Sequence, residues 1–173
     1  MAGDVIREHQ RVGTRARRAT TDDIDELIRL AAVMLVAMGH DPSPEDWRGA
    51  ARDLLPGNFE EGSKAAFVVD HPDGGGRLIA SAAGSITQWF PTVFNADGRY
   101  GYVQWVATDP EFRRRGHSRA VMVALLDWFR ARRVPLVDLR ATPDAEPLYR
   151  SLGFTEVDPP LLRIRVRDAN PSN

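Results

Sequence analysis

The stretch from Tyr100 to Ala141 constrains the fold more than any other part of the chain. Tyr100 to Thr108 is rich in aromatic and β-branched residues and predicts a strand. From Gly116 to Arg133 the spacing turns helical. Val121, Leu125, Trp128 and Arg132 lie along one stripe, with Met122, Leu126 and Phe129 beside it. Val134 to Ala141 is a second strand, which Pro135 confines to starting near Leu136. Strand, helix and strand in this order predict a βαβ unit: two parallel strands joined by a right-handed crossover. Such a unit belongs inside a sheet with covered faces, and 173 residues suffice for one domain around it.

The flanking segments supply the rest of that sheet. Arg15 to Ala19 reads as a short strand. Thr20-Thr21-Asp22-Asp23 opens a helix whose buried stripe is Ile24, Leu27, Ile28, Ala31, Met34, Leu35 and Met38, and Gly39 ends it. Ser43 at N-cap and Pro44 at N1 start a second helix, which Pro56-Gly57 stops. Ala65 to Asp70 and Leu78 to Trp89 are strands around the turn His71 to Gly76, and Asn95-Ala96-Asp97-Gly98 marks a further hairpin loop. Asp144 to Leu152 is a short helix with Gly153 after it. Phe154 to Val157 and Leu161 to Val166 close the chain as strands, the last with Leu162, Ile164 and Val166 alternating with Arg163, Arg165 and Arg167. The expected class is α/β (α+β): a mixed, mostly antiparallel sheet of six to seven strands, a central parallel βαβ unit, and helices on both faces. One domain is expected over 15–167, with flexible segments at 1–14 and 168–173.

Composition removes several kinds of chemistry. The chain has no Cys, which excludes a thiolate nucleophile, disulfides and Cys-ligated zinc, and its four His are too dispersed to suggest a metal. The 23 basic residues are matched by 24 acidic ones, so no nucleic-acid partner is expected. No apolar run approaches the ~18 residues of a membrane span, and Met1 to Gly13 is too polar for a secretory signal, which points to a cytoplasmic protein without a membrane partner. All basic residues except Lys64 are Arg. With plentiful Ala, Gly and Pro, that bias looks like bacterial-type, GC-rich coding.

Chemistry concentrates where the first strand of the βαβ unit meets its helix. Thr108-Asp109-Pro110-Glu111-Phe112-Arg113-Arg114-Arg115-Gly116-His117-Ser118 is a basic loop that opens a helix at Gly116. A helix N-terminus offers free N–H groups and a partial positive charge. Gly116 lets a phosphate approach the backbone, Ser118 is too small to block it, and the arginines raise the local potential. These are the requirements of a phosphate or pyrophosphate site. Neither G-x-x-x-x-G-K-[ST] nor G-x-G-x-x-G is present, which argues against nucleotide triphosphatases and dinucleotide enzymes.

The same segment resembles the GCN5-related N-acetyltransferase family. That family carries Q/R-x-x-G-x-G/A after a strand, here Arg113-Arg114-Arg115-Gly116-His117-Ser118, with Ser118 in the Gly/Ala place. It often carries A-x-x-L-Y-x-x-x-G-F downstream, matched by Ala145 to Phe154 with Leu148, Tyr149, Gly153 and Phe154 in place. The resemblance implies acetyl-CoA as acyl donor and a small-molecule or peptide amine as acceptor. It implies that backbone groups of Val106, Ala107 and Thr108 hold the pantetheine arm beside a strand bulge. Arg113, Arg114, Arg115, Gly116, His117, Ser118 and Arg119 would surround the pyrophosphate. The amide near Val106 would hold the oxyanion, and Tyr149 would act as general acid to the leaving thiolate.

The chain departs from the family at two positions. Gln104 stands where many members have a Glu base, and Thr142 where they often have Asn. A base must then come from elsewhere, with His40 as the titratable candidate between the first two helices, or from a water chain. The imidazole of His117 is expected to face solvent. Trp89, Phe90, Tyr100, Tyr102 and Trp105 are expected near one hairpin, as an acceptor pocket or as core and dimer packing; homodimers are common in the family. With no Cys for an acyl-enzyme, direct transfer in a ternary complex is the expectation. The missing Glu also fits a non-catalytic acyl-CoA-binding or regulatory module on the same fold.

Overall fold

The computed structural model describes residues 15–158 and 162–164. Its elements run β1 (Arg17–Arg18), α1 (Ile24–Ala37), α2 (Asp46–Glu61), β2 (Lys64–Asp70), β3 (Leu78–Gln88), β4 (Arg99–Thr108), α3 (His117–Ala131), β5 (Leu136–Asp138) and α4 (Glu146–Ser151), with 3-10 turns at Thr21–Asp23 and Pro110–Phe112. The sheet order is β1-β2-β3-β4-β5. The first three pairings are antiparallel and β4 pairs β5 in parallel, as the periodicity of the βαβ segment predicts.

Strand alternation divides the sheet's two faces between different helices. On β2, Ala65, Phe67 and Val69 face a core built with Val121, Met122, Leu125, Trp128 and Phe129 of α3. The intervening Ala66 and Val68 face Leu27 and Leu30 of α1. A third cluster of Ile24, Ile28 and Ala51 joins α1 to α2. The α3 face owes its close approach to two glycines. A Cβ on Gly84 or on Gly101 would stand 2.7 Å from the ring of Phe129, which is 1% exposed. Only hydrogen side chains let that ring lie flat on β3 and β4.

The class expected from sequence is the one found, with five strands among the described residues against the six to seven expected. Phe154 to Val157 has no ladder partner among the described residues and is not assigned as a strand. Leu162 to Ile164 is irregular, with Leu162 89% and Ile164 84% exposed; the remainder of the expected last strand lies outside the described residues, as do 1–14 and 168–173.

Two helix boundaries also differ. Ser43 does not cap α2: its N–H and hydroxyl both bind the Asp41 carboxylate, an Asx-type turn, and the helix starts three residues later after Glu45. Pro56 does not stop it. Its missing N–H forfeits one bond, but running on to Glu61 places Phe59 against both clusters on that face. Gly62, at φ +74°, ends the helix by donating to the Asn58 carbonyl. α1 closes as the sequence predicts, in a Schellman turn: Gly39, at φ +77°, donates to Val36 O and His40 to Leu35 O.

Candidate active site

β4 and β5 pair over a short length only. Tyr100, Gly101 and Tyr102 face Leu136, Val137 and Asp138, after which the strands part. β4 continues to Thr108 with no strand on that side among the described residues, and Leu139 and Arg140 line the opposite wall of the opening. The result is a cleft of about 640 Å³, bounded by β4, the start of α3, α4 and the last turns of α1.

A bulge on β4 accompanies the parting. Ser81 faces Ala107 and Ala83 faces Gln104, so Trp105 and Val106 are absent from the ladder with β3. Trp105 takes φ +53°, a left-handed conformation that costs a non-glycine residue about 1–2 kcal/mol. Its surroundings hold it there. Ser81, fully buried, donates its hydroxyl to Trp105 O at 3.1 Å, and the indole meets Trp47 edge-on at 6.2 Å. The family resemblance implies a bulge in this strand, but no residue pattern places it at Trp105, because the residue at the positive φ is a tryptophan.

The basic loop wraps the other end of the cleft. Gly116 is the N-cap of α3 at φ +86°, no side chain caps the first turn, and a Cβ placed there meets nothing within 4 Å. The first-turn amides therefore have open space in front of them. Thr108 and Ser118 hydroxyls bond at 2.8 Å and tie the strand end to the helix start. Arg113 donates to Thr108 O at 3.3 Å, and Arg114 takes φ +62°. Arg113, Arg114 and Arg119 line the cleft, with Arg119 steadied by the Ser151 hydroxyl at 2.8 Å. Arg115 does not line it; its guanidinium lies over Phe112, 5.3 Å from the ring centre. Asp109, 3% exposed, anchors the strand end to α1 through a 2.8 Å pair with Arg29, which also donates to Leu78 O.

His117 differs from expectation. Its half-buried ring lines the cleft and meets Phe112 edge-on at 6.3 Å, and its Nδ1 is buried without a partner among the described residues. Burial, and then the Arg115 charge, push its pKa down, so the imidazole is held neutral. Tyr149 projects from α4 into the cleft wall and is 6% exposed. Burial raises its pKa above the ordinary phenol value, which keeps the hydroxyl protonated and able to donate. Gln104, Val106, Ala107 and Thr142 also line the cleft.

His40 is exposed and is not among the lining residues; its backbone is used in the α1 Schellman turn. Of the five aromatics expected near one hairpin, only Trp105 lines the cleft. Trp89 stacks on Tyr100 at 4.3 Å, and Phe90 is 93% exposed. Sequence reasoning missed the α1 contribution of Val33, Met34, Ala37 and Met38. It also missed Asp144, the one carboxylate among the described lining residues. The apolar run ending at Gly39 is the signal for the former. Nothing in the sequence marks the latter.

The comparisons agree with this geometry. The chain is 32% identical over 145 residues to a mycothiol acetyltransferase of Thermobispora bispora, an alignment covering 66% of this chain and 49% of that protein. It therefore spans about half the length of that curated relative. A GCN5-related N-acetyltransferase from Ralstonia eutropha superposes with a TM-score of 0.74 at 25% identity, over 88% of this chain and 99% of the other. A predicted acetyltransferase with acetyl-CoA from Clostridium acetobutylicum has the same fold, with a TM-score of 0.77 at 23% identity over 87% and 95% of the two chains. The profile described as the acetyltransferase (GNAT) family matches residues 29–154, from the first helix through the Gly116 turn to Phe154, and the chain belongs to that family.

Proposed function

We propose that the protein is an acetyl-CoA-dependent N-acetyltransferase that moves an acetyl group to a primary amine by direct transfer in a ternary complex. One observation carries this reading: on its β5 side, β4 has no strand partner among the described residues from Val103 to Thr108, beside an uncapped helix start lined by arginines. A ligand with an extended amide-bearing arm and a diphosphate complements both halves of that cleft, since the arm pairs like an added strand and the diphosphate meets N–H groups. Bound acetyl-CoA supplies an acetyl group already activated as a thioester. The open space in front of Gly116 is where its diphosphate fits, with Arg113, Arg114 and Arg119 around it.

The chain's own groups then have separate tasks. Backbone groups of Val106, Ala107 and Thr108 hold the arm. The Val106 amide, outside both ladders, is available to polarise the carbonyl and to hold negative charge developing on its oxygen. Tyr149, kept neutral by burial, donates to the departing sulfur. Gln104 cannot accept a proton and His40 stands outside the lining, so we assign deprotonation of the incoming ammonium to water in the cleft, with Asp144, the one carboxylate among the described lining residues, as the protein alternative. For an amine of pKa ~10.4, reaching the free base at pH 7 costs about 4.6 kcal/mol. Without a protein base, kcat/KM should therefore rise about tenfold per pH unit until the acceptor's own pKa. A plateau near pH 6–7 would assign a protein base instead.

The deciding experiment is release of CoA thiol across a panel of small amines, amino acids, aminoglycoside-like amines and peptides, with product masses. An acetylated amine and no covalent acetyl-protein in a stopped reaction support direct transfer. Gln104 favours one other reading, an acyl-CoA-binding or regulatory module. Stabilisation by CoA with no turnover on any amine would establish it.

A further inference from the structure

A second concave site lies at the other end of β4 and α3, away from the parting of the strands. It is a cleft of about 380 Å³ between the end of α2, the β3–β4 ladder and the end of α3. Arg99 at the start of β4 and Arg132 just after α3 line it, with Ser63, Thr87 and Gln88 supplying neutral polar groups. Arg18 on β1 is near enough that its charge, with that of Arg99, lowers the pKa of Arg132 after burial has done so.

Three guanidiniums gathered this way repel one another. Seven other arginines have carboxylate partners, yet none of these three has one among the described residues. Arg132 is nonetheless held in place: it stacks over Trp128 at 4.6 Å, and a Cβ built on Gly62 would stand 3.7 Å from its Nη2. The carboxyl end of α3 favours one cation there, which accounts for Arg132 but not for Arg18 and Arg99. Glu61 also lines the cleft, so the lining residues carry two positive charges less one negative, or +1, and Arg18, outside the lining, raises the local balance to +2. That balance suits a dianion, and planar guanidiniums at two edges of a cleft suit its paired oxygens.

We propose that this cleft is a second anion site, taking a phosphate dianion, either free or as the end of a phosphate monoester. It is separate from the acetyl-CoA cleft and does not depend on that assignment. Arg99 and Arg132 would hold the oxygens, and Arg18 would add long-range attraction.

Thermal unfolding of the full chain, titrated with inorganic phosphate and separately with glycerol 3-phosphate at constant ionic strength, tests this. The expected result is a saturable rise in Tm, of about 4 °C or more at a hundredfold excess over Kd. Arg99→Gln, which keeps the Arg132–Trp128 stack, should weaken binding at least tenfold, and Arg132→Gln should do the same. Arg114→Gln, in the other cleft, should leave the response intact. A response to inorganic phosphate alone would identify the free ion as the ligand; a tighter response to glycerol 3-phosphate would identify a monoester. A linear, unsaturating rise of equal slope in all proteins would overturn the proposal, because that is how an excluded salt acts. So would loss of the response in Arg114→Gln with retention in Arg99→Gln, or equal binding of acetate.

Discussion

Replacing Tyr149 by Phe removes one oxygen and separates a chemical role from a packing role. The ring is 6% exposed and meets Phe154 edge-on at 6.0 Å, and that packing survives the change. Burial is the sole cause of its raised pKa, so no bonded group among the described residues is orphaned when the hydroxyl goes. Stability should therefore change by less than about 0.5 kcal/mol, or roughly 2 °C in Tm. The rate should respond quite differently. A hydrogen bond to a charged group contributes about 1.5–3 kcal/mol, which at 1.4 kcal/mol per decade is about a 12- to 150-fold loss of kcat with KM little altered. The chain has no Cys, so a thiol-reactive dye reports only CoA thiol and the assay has no protein background. The wild type should also lose activity as the phenol ionises, at a pH above the ordinary phenol value because burial raises its pKa, and the variant should lack that limb. A kcat within threefold of wild type together with a Tm several degrees lower would refute the acid role and make Tyr149 a packing residue.

Gly116→Ala should cost about 1 kcal/mol in thermal unfolding, from the left-handed φ alone since the added methyl meets nothing, and should raise KM for acetyl-CoA at least tenfold; an unchanged KM would move the diphosphate elsewhere. Gly101→Ala sets a methyl 2.7 Å from Phe129 and 3.0 Å from Val137. Gly84 already blocks the ring's other approach, so about 1–3 kcal/mol should be lost, and a neutral result in denaturant unfolding would show that the ring yields. Asp23 is held below the ordinary carboxylate range chiefly by its hydrogen bonds to Arg17. Its contribution to stability is therefore complete above the ordinary Asp pKa and is lost as pH falls through the lower folded value. Arg17→Gln should accordingly lower Tm at pH 7 and converge with wild type in acid, and a pH-independent gap would contradict that assignment.

The β4-α3-β5 unit, the Gly116 turn and the α4 segment were legible because each has a local cause: a change of period, a residue that alone tolerates positive φ, a helix stop. What was not legible depends on which partners the folded chain offers each residue. Pro56 sits inside α2 because Phe59 finds a core on the other side of it. Ser43 loses its capping role to Asp41, two residues away. The bulge at Trp105 is held by Ser81 from the neighbouring strand and by Trp47 from α2. Arg115 leaves the phosphate turn because Phe112 offers a ring, and the same ring meets His117 edge-on. Thus the β4, α3 and α4 walls of the cleft could be read from sequence, but the α1 wall and the directions of individual side chains within the basic loop could not.

The short β4–β5 pairing also bears on how long the protein persists. A sheet that opens after three paired positions leaves part of its framework to be completed by whatever ligand fills the gap. Ligand present at a hundred times its Kd adds about 2.7 kcal/mol to the folded state, and the unfolded fraction falls about a hundredfold. Proteolysis of the transiently opened chain follows that fraction. A metabolite that occupies the gap would then set not only the rate of each molecule but how many molecules escape degradation, so that starvation for it would thin the protein pool before any gene responded.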